Sequence, residues 1–170
     1  MIRSFRRTGV LGVCTVAAVA AVSFAAAPVS AFADNGDGFE FTLYAKEVPA
    51  AGASESGPPP KAGDVFTLAD DLYKTKGGTK VGRDGVTCAV VRVSGDQADV
   101  NCVGTFVLNG GPGGQLTAQA LVTFDISNEA PAAYDVAITG GTGDFTQARG
   151  YVSTTPDGDY SRLEFHVTSR

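Results

Sequence analysis

From Phe39 to the end of the chain, apolar and polar residues alternate with a period of two, and Val, Thr, Phe and Tyr carry most of the apolar positions. That is the signature of half-buried strands, because successive side chains on a strand point to opposite faces. Eight strands are predicted: Phe39 to Lys46, Val65 to Tyr73, Gly85 to Val93, Asp99 to Leu108, Gln115 to Asp125, Tyr134 to Thr139, Phe145 to Thr154 and Tyr160 to Thr168. No amphipathic helix of useful length follows residue 33. Most connections are short and rich in Gly, Pro, Asn and Asp, as in "NGGPGG" (Asn109 to Gly114) and "TPDGD" (Thr155 to Asp159). Such turns make sequence neighbours antiparallel. The exception is Glu47 to Asp64, a Pro-, Ala- and Ser-rich connection of the kind that forms flaps or lids. Eight antiparallel strands in one short domain close most simply into a barrel, which removes exposed sheet edges and leaves room for side chains or one small ligand. A sandwich is the alternative.

The N-terminus changes the compartment. Arg3, Arg6 and Arg7 precede an apolar stretch from Val10 to Ala27, and Ala31, Phe32 and Ala33 form a small-x-small site. Residues 1–33 are therefore expected to be a signal peptide cleaved after Ala33, with a retained membrane anchor as the rival reading. The mature part, Asp34 to Arg170, is then a single domain. Losing three of the thirteen basic residues against eighteen acids leaves it with a net charge of −8. That surface repels phosphate backbones and anionic lipids, so neither nucleic acid nor, after cleavage, a membrane is an expected partner. Export also places Cys88 and Cys102 in an oxidising environment. Each lies seven residues from Gly95, so a hairpin centred there sets them opposite one another. A disulfide closing that loop contributes about 3 kcal/mol in the chain-entropy account; two buried thiols are the alternative.

Little conventional active-site chemistry is present. "ITGGTGDFTQARGY" (Ile138 to Tyr151) contains a Gly-rich turn but lacks the Lys of a phosphate loop and is followed by β-rich sequence rather than a helix. It reads as a strand-to-strand turn. His166 is the only histidine, which argues against a histidine-based metal site and against a serine triad. Asp157 to Asp159 lacks the remaining ligands of a calcium loop and reads as turn residues.

The same Ile138 to Tyr151 block resembles the Gly-Gly-Thr-Gly-x-Phe-x-x-Ala-Arg-Gly-Tyr motif of dirigent proteins. Upstream, "YAKE" (Tyr44 to Glu47), "DDL" (Asp70 to Leu72) and "VGR" (Val81 to Arg83) are similar to dirigent segments in the same order, although Lys46 and Glu47 stand where dirigents have His-Asp. The related allene oxide cyclases share that order, with counterparts of Leu72-Tyr73 and of Cys88 to Val91. This resemblance implies an eight-stranded antiparallel barrel, no cofactor, a homo-oligomer (trimer or dimer), and a hydrophobic cavity that steers a reactive organic molecule.

A steering cavity needs apolar walls and a few polar groups. The candidates are Glu47, Asp70 and Asp71 as acids, Arg149 as a stabiliser of developing negative charge, and Tyr44 and Tyr151 to orient a ring. Alternation places Phe145, Gln147, Arg149 and Tyr151 on one face. The expected site is an apolar pocket opening near the Glu47 to Asp64 connection. The expected function is binding of a small hydrophobic molecule with steering of its cyclisation or coupling, or else carriage or an interaction role on the same barrel.

Overall fold

The computed structural model describes residues 38–49, 59–127 and 132–168. The predicted signal peptide and the middle of the Glu47 to Asp64 connection, residues 50–58, lie outside these described residues. The strands are β1 (Phe39–Glu47), β2 (Val65–Tyr73), β3 (Lys80–Ser94), β4 (Gln97–Leu108), β5 (Gly114–Asp125), β6 (Tyr134–Gly143), β7 (Arg149–Asp157) and β8 (Tyr160–Thr168). Each pairs antiparallel with its sequence neighbour, and β1 pairs with β8 to close the barrel. Closure pairs edges that an open sheet would leave exposed.

The period-two pattern decides which side chains enter the barrel. Leu43 and Ala45 on β1, Leu72 on β2, Phe106 and Leu108 on β4, Leu116 and Ala118 on β5, Val152 on β7 and Leu163, Phe165 and Val167 on β8 form one buried cluster. Phe165 anchors it, stacking on Phe41 at 4.4 Å and meeting Phe106 edge-on at 5.2 Å. Fully burying one such ring contributes roughly 2 to 3 kcal/mol. A smaller cluster of Cys88, Val90, Ala98 and Val100 lines the β3–β4 hairpin. Cys88 and Cys102 are direct cross-strand partners joined by a disulfide.

Most boundaries fall within three residues of the sequence reading, and three differ by more. β3 begins at Lys80 rather than Gly85, since the Val81 to Asp84 segment pairs with β2 and β4 despite its Gly and charged residues. β6 runs on through the glycines to Gly143, alongside β5. β7 starts only at Arg149, because residues 144–148 form a turn that folds back under the barrel.

That turn gives the Gly-rich block its structural role. Asp144 accepts the Gly113 N–H at 2.9 Å, and the Phe145, Thr146 and Ala148 amides donate to carbonyls of Thr142, Gly143 and Phe145. The loop so pinned drives Phe145 into the core, where it is 0% exposed beside Phe39 and Phe41. A side chain at Gly141 would collide with the Gln115 carbonyl and with Phe145 itself. At Gly150, where φ is +120°, a Cβ would run into the His166 carbonyl. Phe145 therefore does not share a strand face with Arg149 and Tyr151, and Gln147 takes a left-handed conformation (φ 65°) in the exposed part of the turn.

Candidate functional site

Above the Phe145 plug the barrel is hollow. An inner cavity of about 120 Å³ is walled by Phe66, Val86, Phe106, Val122, Phe124 and other apolar side chains, together with the disulfide. It shares lining residues with a wider mouth of about 440 Å³ at the end where β1 finishes and the β7–β8 turn lies.

One row of the barrel supplies its carboxyl groups. Glu47 on β1 is the register partner of Asp70 on β2, which is in turn the partner of Asp84 on β3. By parity all three belong to the inward-facing set, and Asp70 lines both cavity and mouth. Like charges directly opposed across strands are unfavourable. The Asp70 backbone N–H donates to Asp84 Oδ1 at 3.1 Å.

Asp84 is only 7% exposed. Burial first, then the neighbouring Asp70 charge and a hydrogen bond between the two carboxyls, push its pKa up to about 8. Asp70 is also raised, chiefly by burial and further by Glu47 and Asp71, while its hydrogen bond with Asp84 acts in the opposite direction. Two close carboxyls in a low-dielectric wall cannot both ionise, so the pair holds a proton at neutral pH. Asp84, the more buried partner, is the one pushed up further, and the two carboxyls titrate as a unit.

On the facing wall, Tyr134 on β6 pairs with Thr154 on β7, and Ser161 on β8 completes the polar set. Burial, followed by the charges of Asp70 and Asp84, raises the Tyr134 pKa, so its phenol stays protonated. The site thus offers a shared proton, a carboxylate acceptor and hydroxyl donors around apolar space. Among the described residues, no group of three or more His, Cys, Asp or Glu side chains is arranged to hold a metal ion.

Of the residues singled out in the sequence, Glu47 and Asp70 line this space. The others are placed elsewhere. Asp71 faces outward in an ion pair with Lys80, since it follows Asp70 by one residue on the strand. Arg149 is exposed at the start of β7, where Nη1 donates to the Thr139 and Ala148 carbonyls at 3.1 and 2.7 Å and braces the plug turn. Tyr44 alternates to the outside, with Lys76 Nζ 5.8 Å from its ring. Tyr151 is 42% exposed and stacks on His166 at 4.5 Å. His166 meets Glu40 at 2.8 Å on the outer surface.

Asp84 and Tyr134 are absent from the sequence candidates. A signal for Asp84 exists: it lies four residues before Cys88, on the face that the cysteine pairing turns inward. The late start predicted for β3 conceals it.

No curated protein matches the sequence. Among solved structures, a pyocyanin demethylase is similar at 26% identity and a TM-score of 0.63, covering 76% of this chain and all of its own. The pterocarpan synthase dirigent protein GePTS1 is similar in fold, at 19% identity and a TM-score of 0.57, covering 89% of this chain and all of its own. The model of the allene oxide cyclase barrel like domain matches residues 45–165, every strand of the barrel in whole or part, and the chain belongs to that family.

Proposed function

We propose that this chain is an exported, cofactor-free barrel that binds a small, mainly apolar organic molecule and transforms it by proton transfer, as in a cyclisation or isomerisation. The observation that carries this reading is the Asp70–Asp84 pair. A vessel for apolar cargo gains nothing from two carboxyls buried without a counter-cation, which lowers stability. A general acid and base gain directly, because a group poised near neutrality can both give and take a proton. In this role Asp84 donates to the developing leaving group or enolate oxygen, Asp70 accepts, and Tyr134 and Ser161 orient the substrate. Glu47 at the rim adds negative charge that keeps the shared proton in place.

The two similar structures support a small-molecule substrate, one being named for pyocyanin demethylation and the other for pterocarpan synthesis. The disulfide and the basic, apolar N-terminus support export. Intact mass of secreted material should show a chain starting at Asp34.

A thermal-shift screen of small aromatic and unsaturated compounds identifies ligands, since a ligand that binds only the folded state raises its stability. Turnover of each hit is then compared between wild type and Asp84→Asn. Loss of about a hundredfold or more in kcat with binding retained is the expected result. Binding with no turnover by wild type would make the barrel a carrier.

A further inference from the structure

We propose that the cavity selects its ligand by charge, accepting small organic cations and excluding anions. This rests on the reading of the barrel as a small-molecule site and specifies the substrate class. Every ionisable side chain on the inner cavity and its mouth is a carboxyl or a phenol: Glu47, Asp70, Asp84, Asp159, Tyr134 and Tyr160. No Lys, Arg or His lines either space among the described residues.

The cations near this end are held on the outside. Lys80 pairs with Asp71, and Lys76 pairs with Asp157 while lying 6.0 Å from the Tyr160 ring. Lys46 alternates away from the row, and its ammonium, like that of Lys76, reaches only the rim, 5.4 Å from the Tyr160 ring, without lining the cavity or its mouth. With a proton shared between Asp70 and Asp84, the space still carries the remaining charge of that pair together with Glu47 and Asp159 at the mouth.

A second feature has the same sign. Phe66, Phe106, Phe124 and Tyr134 surround the cavity. Aromatic faces carry negative quadrupole potential and attract cations, most strongly where water is excluded. Apolar walls alone would admit neutral, cationic and anionic ligands of one shape with little distinction beyond desolvation. Carboxylates and π faces together favour the cation and repel a carboxylated ligand. One unit charge a few ångströms from a carboxylate, at the dielectric typical near a protein surface, changes affinity by about tenfold or more.

The test uses the processed protein and three bicyclic probes of one shape: quinoline, N-methylquinolinium and quinoline-4-carboxylate. Calorimetry at pH 8, where quinoline itself is neutral, gives their dissociation constants. The expected order is cation tightest and anion weakest, with at least about a tenfold ratio between those two. The double variant Glu47→Gln/Asp159→Asn should bring the ratio down to a few-fold. Glu40→Gln, on the outer face beside His166, should leave it unchanged. If the anion binds as tightly as the cation, charge selection is overturned while small-molecule binding stands. Equal narrowing of the ratio by Glu40→Gln would assign the preference to the overall negative surface and also overturn it. If none of the three binds, the small-molecule reading fails along with this inference.

Discussion

Replacing Asp84 with Asn tests the buried carboxyl pair directly, because it removes the ionisation while keeping shape and hydrogen-bonding capacity. Folding raises the Asp84 pKa from 3.8 to about 8, so the folded chain keeps a proton that the unfolded chain releases. The sign follows from linkage: stability is unaffected below about pH 4, falls as pH rises between the unfolded and folded values, and levels off above about pH 8. The slope is about 1.4 kcal/mol per pH unit for one proton, giving a loss of about 4 kcal/mol between pH 4 and pH 7. The amide introduced by Asp84→Asn has nothing to titrate, and it can still donate to Asp70 while its oxygen accepts the Asp70 N–H. The variant should therefore match wild type near pH 4 and exceed it by up to about 4 kcal/mol at pH 7. Guanidinium unfolding with the disulfide intact, followed by tyrosine fluorescence in a chain without tryptophan, measures both proteins across pH 4 to 8. The difference between the two curves is the readout of the Asp70–Asp84 pair, since groups outside the pair contribute alike to both. A difference independent of pH, or a variant less stable at every pH, would refute the burial of Asp84 with a shared proton.

Three further outcomes are expected. Phe145→Ala should cost about 3 to 5 kcal/mol by leaving a cavity in the plug, read as a lower denaturant midpoint with an unchanged m value. Gly150→Val should destabilise by more than the few tenths typical of a surface change, because any Cβ there meets the His166 carbonyl at positive φ; a neutral effect in thermal melts would contradict the observed backbone. Replacing both Cys88 and Cys102 with Ala should remove about 3 kcal/mol of stability, and reductant should shift the melting temperature of wild type but not of the double variant.

Much of the barrel is legible because each strand has one wet and one dry face, so the alternation survives in the sequence. The cysteine pair is legible from its symmetric placement about Gly95, although the two-residue turn at Gly95 and Asp96 alone would set Cys88 opposite Val103, and a bulge at Val91 restores the Cys88–Cys102 register. The late start predicted for β3 comes from the opposite situation. "VGRDGV" is poor strand sequence on propensity, with two glycines and two charges, and becomes a strand only because β2 and β4 flank it on both sides. Asp84 disappears from view with that segment. Arg149 and Tyr151 stand out as chemical residue types, but residue type carries no information about which way a strand face turns. Phe145 reads as strand because alternation continues through it; local bonds curl residues 144–148, but the bonds that pin this turn against the barrel join Asp144 to Gly113, about thirty residues away in the chain.

The plug at the foot of the barrel also fixes the traffic through it. With Phe145, Phe165 and their neighbours packed across one end, the inner cavity continues into the mouth beside Glu47, with which it shares lining residues. The cavity near Pro112, at the other end, has no lining residue in common with it. On the proposed function, substrate and product would share the Glu47 mouth. A product that fits the walls nearly as well as its precursor would then hold the cavity against the next substrate until it backs out. Product should accordingly act as a competitive inhibitor, and changes at the mouth should alter turnover without touching the buried acids.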